Sequence, residues 1–548
     1  MHTKAKTHLK SWPLLRTIFS RTTLLVVFLL IQIWFMWSVF TFLDQTFAYG
    51  VFIALSAVEI LVIMNQEGST SYKIAWVVPI TIFPVFGALF YLYIRLQTRV
   101  KLMRHDLDLE KERSISCMRQ SESVRKKIEE EAPSITGISA YLDGHCQFPS
   151  YENTYVRYFP LGDELFPVMI GELKKAKHFI FMEYFIVAKG QIWDSILAVL
   201  KQKAAEGVEV KFMFDGMNTI SNLPFSYDRE LCACGIDAKQ FSPVRPAIAS
   251  YQNNRDHRKI CVIDGHTAFT GGVNLADEYA NLITRFGKWK DTGAMFRGEA
   301  VNSFTMLFLQ MWNSTFRTIR IREARLDYAK YAYRKEWDPG SLETDPDVLE
   351  KVLPACQNGV HRTEKREGFV IPYGDNPLDQ EPIGETVYLS MINDAVSYVH
   401  IMTPYLILDD PMMQALCYAA KRGVDVKIMF PHIPDKPYAF WLGHAYYKEL
   451  LDNGVRIFEY LPGFVHAKEF ISDGKKAVIG TVNLDFRSLY LHFENAAYLY
   501  GMEAVTEMEG DFQACLRECK EIDLTAYALL PQTKLFFGKA LRVLAPLF

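Results

Sequence analysis

The sequence predicts an α/β protein built from two similar halves and preceded by membrane-spanning helices. Short apolar runs of β-rich sequence alternate with longer amphipathic stretches, which is typical of buried strands covered by helices. The same order of segments returns later in the chain, which predicts the two halves. A long stretch without charge near the N-terminus predicts the membrane helices. With 548 residues, the chain is too long for one compact domain.

Three apolar stretches lie within residues 1–98, the predicted membrane region. Residues 22–43 are 22 consecutive residues without a charge, which is long enough to cross a hydrocarbon layer of roughly 30 Å. Residues 46–64 and 74–94 are two further candidates, and the prolines of the last stretch are expected to kink it. We therefore expect an integral, multi-pass protein of the cell membrane.

The charges leave the orientation of this region open. Basic residues cluster both before residue 22 and after residue 94, and three full crossings cannot place both clusters on one side. The nine cysteines show no zinc-site spacing and are typical of unpaired thiols in a reducing compartment. We therefore expect the catalytic region on the cytoplasmic side. The net charge of −3 gives no overall attraction to nucleic acid.

The remaining chain divides into a linker and two halves. Residues 99–135 are densely charged and predict a solvated linker helix. A strand–helix–strand block at 177–216 returns at 398–432, where GVEVKFMFDG becomes GVDVKIMFPH. An internal duplication is the simplest explanation, and it predicts halves at 136–345 and 366–548. The boundary between them is rich in proline, glycine and aspartate.

Each half carries the same polar motif after its repeated block. The first copy reads HRKICVIDGHTAFTGGVN and the second HAKEFISDGKKAVIGTVN, so both contain H-x-K-x4-D followed by G-x-x-N. Residues two apart on a strand share a face, so each histidine and lysine point toward a common ligand. The motif residues are His257, Lys259, Asp264 and Asn274 in the first half, and His466, Lys468, Asp473 and Asn483 in the second.

Two imidazoles, two ammonium groups and two amides in one pocket suit a phosphodiester, without a metal ion or other cofactor. One neutral histidine attacks phosphorus, and the other, protonated, gives its proton to the departing alcohol. The lysines and asparagines hold the charged oxygens. Glu183 and Glu494 are candidates for a carboxylate that stabilises one imidazolium. Asp264 and Asp473 either act in catalysis or orient the strands and lysines.

These paired motifs resemble the phospholipase D superfamily over roughly residues 140–540. Within it, the chain is similar to bacterial cardiolipin synthases in segments such as RDHRKICVIDG and NLDFRSLYLHFE. The resemblance implies a pseudo-two-fold, bilobal catalytic domain with one shared site, His257 as the nucleophile and His466 as the general acid. It also implies that a phosphatidyl group passes from one phosphatidylglycerol to another, with release of glycerol. Glu183 and Glu494 match acidic positions of the family pattern.

Other interpretations stay open at this point. A phospholipase D-type hydrolase or nuclease would use water as the acceptor, although the apolar stretches favour a lipid acceptor; a non-catalytic membrane scaffold is disfavoured because both motifs are complete. Asp256 stands where the family commonly has asparagine and is expected to alter the pKa of His257. Residues 440–447, FWLGHAYY, either pack in the core or face lipid, and Trp289 and Trp312 are expected to anchor the core or an interface.

Overall fold

The chain forms two compact units, which we describe separately. One comprises residues 1–101 with 244–253, and the other comprises 102–243 with 254–548. A computed structural model describes residues 30, 34, 38, 45–66, 68–95, 98–243, 253–314, 325–338 and 365–547. The predicted span at 22–43 and most of the predicted boundary between the halves lie outside these residues.

The first unit contains helices at Gln45–Met64, Thr70–Ile82 and Pro84–Arg95. Among the described residues, no helix combines the length and the apolar character needed to cross a bilayer. The membrane helices predicted at 46–64 and 74–94 therefore have no support as crossing helices in the described part of the chain.

The stretch predicted as one kinked span at 74–94 folds back on itself. Its first helix ends at Ile82, and Pro84, which lacks the N–H needed to continue that helix, begins the second one. The Trp76 ring lies 5.9 Å from that of Phe90 and 5.4 Å from that of Tyr91, so the two short helices run side by side. The prolines thus produce a reversal rather than a kink.

The charged linker also differs from the single solvated helix that was expected. It forms two helices, Thr98–Ser114 and Glu122–Glu131. Met118 between them is buried, as are Val124 and Ile128 on the second helix. These apolar side chains explain the break, because a continuous helix could not bring all three to the core.

The strands of the first half are β1 Thr154–Phe159, β2 Phe179–Tyr184, β3 Glu209–Asp215, β4 Asp237–Phe241, β5 Arg255–Asp256, β6 Lys259–Ile263, β7 Thr267–Gly271, β8 Lys288–Lys290 and β9 Gly293–Gly298. Seven of them, all but β5 and β8, form a mixed sheet in the order β1-β9-β7-β6-β2-β3-β4. The pairs β2–β3 and β3–β4 at one end of this sheet are parallel, and the remaining pairs are antiparallel.

The second half repeats this strand order and adds one strand at its edge. Its order is β10-β17-β16-β15-β11-β12-β13-β18. The shared order is what a duplication produces. The strands are β10 Phe369–Asp375, β11 Tyr398–Met402, β12 Asp425–Pro431, β13 Arg456–Tyr460, β14 Gly463–Val465, β15 Glu469–Ser472, β16 Lys476–Gly480, β17 His492–Tyr500 and β18 Cys519–Ile522.

Helices cover the sheets and complete the core. Helix Gln191–Ala205 connects β2 to β3 and buries Trp193 against Phe212, with ring centroids 4.8 Å apart. The other helices of this unit are Thr136–Ala140, Gly162–Lys175, Asn218–Ser221, Tyr227–Cys232, Val301–Ser314, Tyr328–Tyr331, Ile383–Asp394, Asp410–Lys421, Pro437–Asp452, Phe486–Tyr490, Glu503–Leu516, Leu524–Ala528 and Gln532–Arg542.

Candidate active site

The two motifs meet where each half contributes a short strand to the other. β5 pairs in parallel with β17, and β8 pairs in parallel with β14. Each pairing continues by one backbone hydrogen bond: His257 N donates to Phe493 O at 2.9 Å, and His466 N donates to Lys290 O at 2.7 Å. Each histidine therefore lies beside the residue that follows its backbone acceptor in the opposite half.

That neighbouring residue is a carboxylate in both cases. His257 Nδ1 lies 2.8 Å from Glu494 Oε2, and His466 Nδ1 lies 2.6 Å from Asp291 Oδ2. Both acids are fully buried. A carboxylate that accepts the Nδ1 proton fixes the ring and leaves Nε2 to meet a substrate. The structure thus contains two histidine–carboxylate pairs, each with one member from each half.

The second residue of the G-x-x-N segment differs between the two motifs, and it contacts the carboxylate of a pair in each case. This residue is Gly272 in the first motif and Thr481 in the second. A Cβ on Gly272 would lie 2.0 Å from Asp291 Oδ1, so glycine is what allows this carboxylate to approach. At the matching position, the Thr481 hydroxyl donates to Glu494 Oε2. The His466–Asp291 pair therefore needs a residue without a side chain at position 272, whereas the His257–Glu494 pair uses the hydroxyl of Thr481.

Two buried lysines accompany the histidines. Lys259 Nζ donates to His257 O at 2.6 Å, and Lys468 Nζ donates to His466 O and lies 2.8 Å from His466 Nδ1. Burial lowers the pKa of Lys259 to about 7 and that of Lys468 to about 8, although Glu494 and Asp291 oppose the shift. Water solvates the charged form of these lysines poorly, so an anionic ligand that pairs with them is favoured.

Burial favours the neutral form of both imidazoles. Burial lowers the pKa of His257 well below its usual value, although Glu494 opposes this shift. Burial also lowers the pKa of His466, and Lys468 adds to the effect. Burial raises the pKa of Asp291 to about 6, against the pull of Lys468. A neutral imidazole is the form that can attack phosphorus.

Asp264 and Asp473 do not lie with the histidines. Each carboxylate accepts three consecutive backbone N–H bonds: Asp264 from residues 177–179 at 2.7–2.8 Å, and Asp473 from residues 396–398 at 2.8–2.9 Å. Both adopt positive φ in the Asp-Gly turn after the motif strand. Of the two roles left open by the sequence, this geometry matches orientation of the strands.

The motif asparagines differ in their surroundings. Asn274 Oδ1 accepts from Ile186 N at 2.8 Å, and its Nδ2 donates to Tyr279 OH at 2.9 Å, so its polar atoms are used within the first half. Asn483 is also buried, but its Oδ1 has no hydrogen-bond partner among the described residues. The expected shared role in substrate binding therefore fits Asn483 better than Asn274.

Glu183 does not pair with a histidine. It is fully buried on β2, and burial together with the neighbouring Asp256 raises its pKa well above the usual value. Burial likewise raises the pKa of Asp256 to about 6, although Arg258 opposes this. Repulsion between two buried carboxylates favours a proton on one of them. Glu183 and Asp256 therefore form a separate acidic pair next to the motif.

Sequence reasoning missed two residues of this site. Asp291 is the counterpart of Glu494, but it follows the motif asparagine by 17 residues, whereas Glu494 follows its own by 11. His492 was not singled out; its ring centroid is 5.3 Å from that of His257, and its Nδ1 is 3.6 Å from Glu494 Oε1. Its counterpart Trp289 has its ring 5.5 Å from that of His466. Aligning the two halves beyond the motifs would have found Asp291.

The same corner is the place where the described residues could hold a metal ion. Donor atoms of His257, His492 and Glu494 all lie within 4.8 Å of one another. Two imidazoles and one carboxylate are a donor set that suits Zn²⁺. The sequence predicted chemistry without a metal, and this stays a prediction.

Residues 169–284 and 388–516 match the family described as cardiolipin synthase, PLD-like domain, and residues 51–95 match the family described as phospholipase D-nuclease N-terminal. The chain is similar to cardiolipin synthase 2 of Bacillus anthracis, with 33% identity over 89% of this chain and 88% of that protein. It is also similar to cardiolipin synthase of Geobacillus kaustophilus, with 31% identity over 91% and 93%.

The fold resembles that of a phosphatidylserine synthase from Haemophilus influenzae, with a TM-score of 0.51 and 15% identity over 71% of this chain and 92% of that one. At this identity the likeness concerns the fold alone. Together with the sequence relatives, it matches the duplicated architecture described above. The chain therefore belongs to the cardiolipin synthases of the phospholipase D-like family.

Proposed function

We propose that this protein is a cardiolipin synthase that transfers a phosphatidyl group from one phosphatidylglycerol to a second, with release of glycerol. The observation that carries the proposal is the crossed pairing of His257 with Glu494 and of His466 with Asp291. Two oriented imidazoles with two buried ammonium groups are the parts needed for a two-step transfer at a phosphodiester.

In the first step, Nε2 of His257 attacks phosphorus and the bond from phosphorus to the glycerol oxygen breaks. His466, protonated when the anionic substrate enters, gives its proton to that oxygen, and glycerol leaves. Lys259 and Lys468 neutralise the charged oxygens of the phosphoryl group. The product of this step is a phosphatidyl group bound to His257.

In the second step, the primary hydroxyl of another phosphatidylglycerol gives its proton to His466 and attacks phosphorus. The phosphorus–nitrogen bond breaks, cardiolipin leaves and His257 returns to its neutral form. Glu494 and Asp291 stabilise the positive charge that each ring carries in turn. With water as the acceptor, the same site would produce phosphatidic acid, which is the hydrolase alternative.

We also propose that residues 1–98 hold the enzyme in the cell membrane. A diacyl lipid leaves its bilayer at a cost of about 0.8 kcal/mol per exposed CH₂, so the site must work at the surface.

The test is to incubate the purified full-length protein with phosphatidylglycerol in detergent and to identify the products. Cardiolipin and glycerol support the proposal, whereas phosphatidic acid alone supports the hydrolase. His257→Ala is expected to abolish turnover. The matched control is His400→Ala, because His400 Nδ1 also lies 2.9 Å from a carboxylate, Glu509, but belongs to neither of the two crossed histidine–carboxylate pairs. Full turnover of the His257 variant would contradict the assignment.

The membrane side is tested separately in intact cells. Cys232 and Cys234 are exposed, so an impermeant thiol reagent reaches them at once if the catalytic unit lies outside. We expect labelling only after permeabilisation. Labelling of intact cells would place the catalytic unit on the outer side and leave the reaction itself untouched.

A further inference from the structure

The last helix of the chain, Gln532–Arg542, presents two adjacent aromatic side chains to solvent. Phe536 is 69% exposed and Phe537 is 56% exposed. Leu529 before the helix and Val543 after it are 82% and 48% exposed. Phe536 and Val543 share one face of the helix, at i and i+7. Contiguous exposed apolar surface of this kind marks an interaction site.

The opposite face of this helix is firmly attached to helix Pro437–Asp452. A Cβ on Gly538 would lie 2.1 Å from Trp441 O, so the two backbones touch at this point. Leu535 is buried, and Arg542 pairs with Glu449 at 3.1 Å. The phenylalanines are therefore exposed on a well-packed helix and not on a frayed end.

This contact also settles the surroundings of the aromatic stretch at 440–447. Leu442 through Tyr447 are buried, and the helix Gln532–Arg542 lies against them. Leu442 through Tyr447 thus pack in the core, which was one of the two roles left open, whereas Phe440 and Trp441 are half-buried. The outer apolar surface on this side of the molecule belongs instead to Phe536 and Phe537.

The charges of the helix indicate the kind of partner. Its sequence QTKLFFGKALR contains Lys534 and Lys539 on either side of the phenylalanines and no acidic residue. Aromatic side chains between lysines are typical of helices that lie in the interface of an anionic bilayer. A protein groove would instead be expected to bury the lysines with the aromatic rings or to pair them with acids.

We propose that this face, Phe536 and Phe537 with the flanking lysines, docks the catalytic unit onto the surface of an anionic bilayer. The inference rests on the proposed function for its lipid, because phosphatidylglycerol is itself anionic. The phenylalanines enter the boundary between head groups and acyl chains, and the lysines contact phosphates.

Helix Gln532–Arg542 lies close enough to the surroundings of His466 for its contact with a bilayer to aid the reaction. The helix beneath it, Pro437–Asp452, follows Lys436, whose Nζ donates to Tyr405 OH at 3.0 Å, while that hydroxyl donates to Asp435 at 2.6 Å. Asp435 and Lys436 both contribute to the electrostatic environment of His466. A bilayer held at the outer helix is thus one helix away from the edge of the pocket, which shortens the path of the lipid.

The test compares the double variant Phe536→Ser/Phe537→Ser with Val396→Ser in the full-length protein. Val396 is 81% exposed and precedes β11, so its replacement removes an exposed apolar side chain elsewhere. On phosphatidylglycerol vesicles, the double variant is expected to be about tenfold slower or more, since two buried aromatic side chains are lost from the bilayer contact. On short-chain phosphatidylglycerol dissolved as monomers, both variants should match the wild type. Equal turnover of wild type and double variant on vesicles would overturn the inference.

A second measurement stays decisive even if no cardiolipin forms. A Cys232→Ser/Cys234→Ser protein carrying Phe536→Cys or Val396→Cys is labelled with an environment-sensitive fluorophore and reconstituted in vesicles that contain nitroxide lipids. The label at position 536 should be quenched and the label at 396 should not. Equal quenching at both positions contradicts docking. Quenching without turnover in the wild type would refute the proposed reaction and leave the docking surface intact.

Discussion

Replacing Asp291 by asparagine tests the role of a carboxylate that the sequence motifs do not contain. Asp291 Oδ2 lies 2.6 Å from His466 Nδ1 in a fully buried setting. At an effective dielectric constant of about 20, opposite unit charges at this distance attract by about 6 kcal/mol. Lys468 lies 2.8 Å from the same ring nitrogen and offsets part of this attraction. We expect Asp291→Asn to remove about half of this attraction, about 3 kcal/mol, from the stabilisation of the transition state. This loss lowers kcat about 150-fold.

The assay measures kcat and KM for cardiolipin formation across pH. Because Asp291 acts through the charged form of His466, kcat should fall while KM changes little. The amide also lowers the pKa of the general acid, so the alkaline limb of the kcat profile should move to lower pH. Asp511→Asn is the control, since Asp511 bonds the adjacent Lys290 and no catalytic group. An Asp291→Asn enzyme within about threefold of wild type, with an unmoved pH profile, would refute this reasoning.

Three further predictions follow from the same site. Lys259→Met should abolish transfer but raise the free energy of unfolding at pH 7. Burial lowers the pKa of Lys259 to about 7, so its buried charge destabilises the fold most below that pH. The gain should vanish as the pH rises toward the usual lysine pKa, which thermal unfolding from pH 6 to 10 would reveal. Gly272→Ala should slow turnover at least about tenfold with little effect on folding, because the added Cβ displaces the Asp291 carboxylate from His466. A wild-type kcat in this variant would show that turnover does not need the contact between Asp291 and His466. Zn²⁺ should inhibit the wild type reversibly through the three-donor group, and His492→Asn should raise the half-inhibitory concentration about tenfold; equal inhibition of both proteins would argue against binding there.

Much of this fold could be predicted from the sequence because the duplication repeats the same strand segments and motifs in both halves. GVEVKFMFDG and GVDVKIMFPH become β3 and β12, which hold matching places in two sheets of the same strand order. Each histidine lies beside the lysine two residues later, but the expected reason was wrong, because His257, His466 and Lys468 lie in short links between strands rather than within a strand. Glu494 lies against His257, as expected from an acid on the strand that follows the second motif.

Other features depended on tertiary contacts that spacing does not encode. Asp291 lies six residues farther from its motif asparagine than Glu494 lies from its own. The equivalence of the two acids therefore becomes visible only in the strand pairs that join the halves. Glu183 has a suitable charge, but its side chain meets Asp256 rather than an imidazole. Hydropathy alone could not distinguish one span at 74–94 from a hairpin, because both have the same composition.

The exchange of short strands between the halves has a consequence for how such an enzyme can arise. Each half alone would contain a histidine without its carboxylate and a carboxylate without its histidine. An ancestor with one motif, before duplication, could therefore work only as a dimer of identical chains, in which each chain supplied the carboxylate for the histidine of the other. Fusion made that partnership permanent and allowed the two copies to diverge, so that one now uses glycine with aspartate and the other threonine with glutamate.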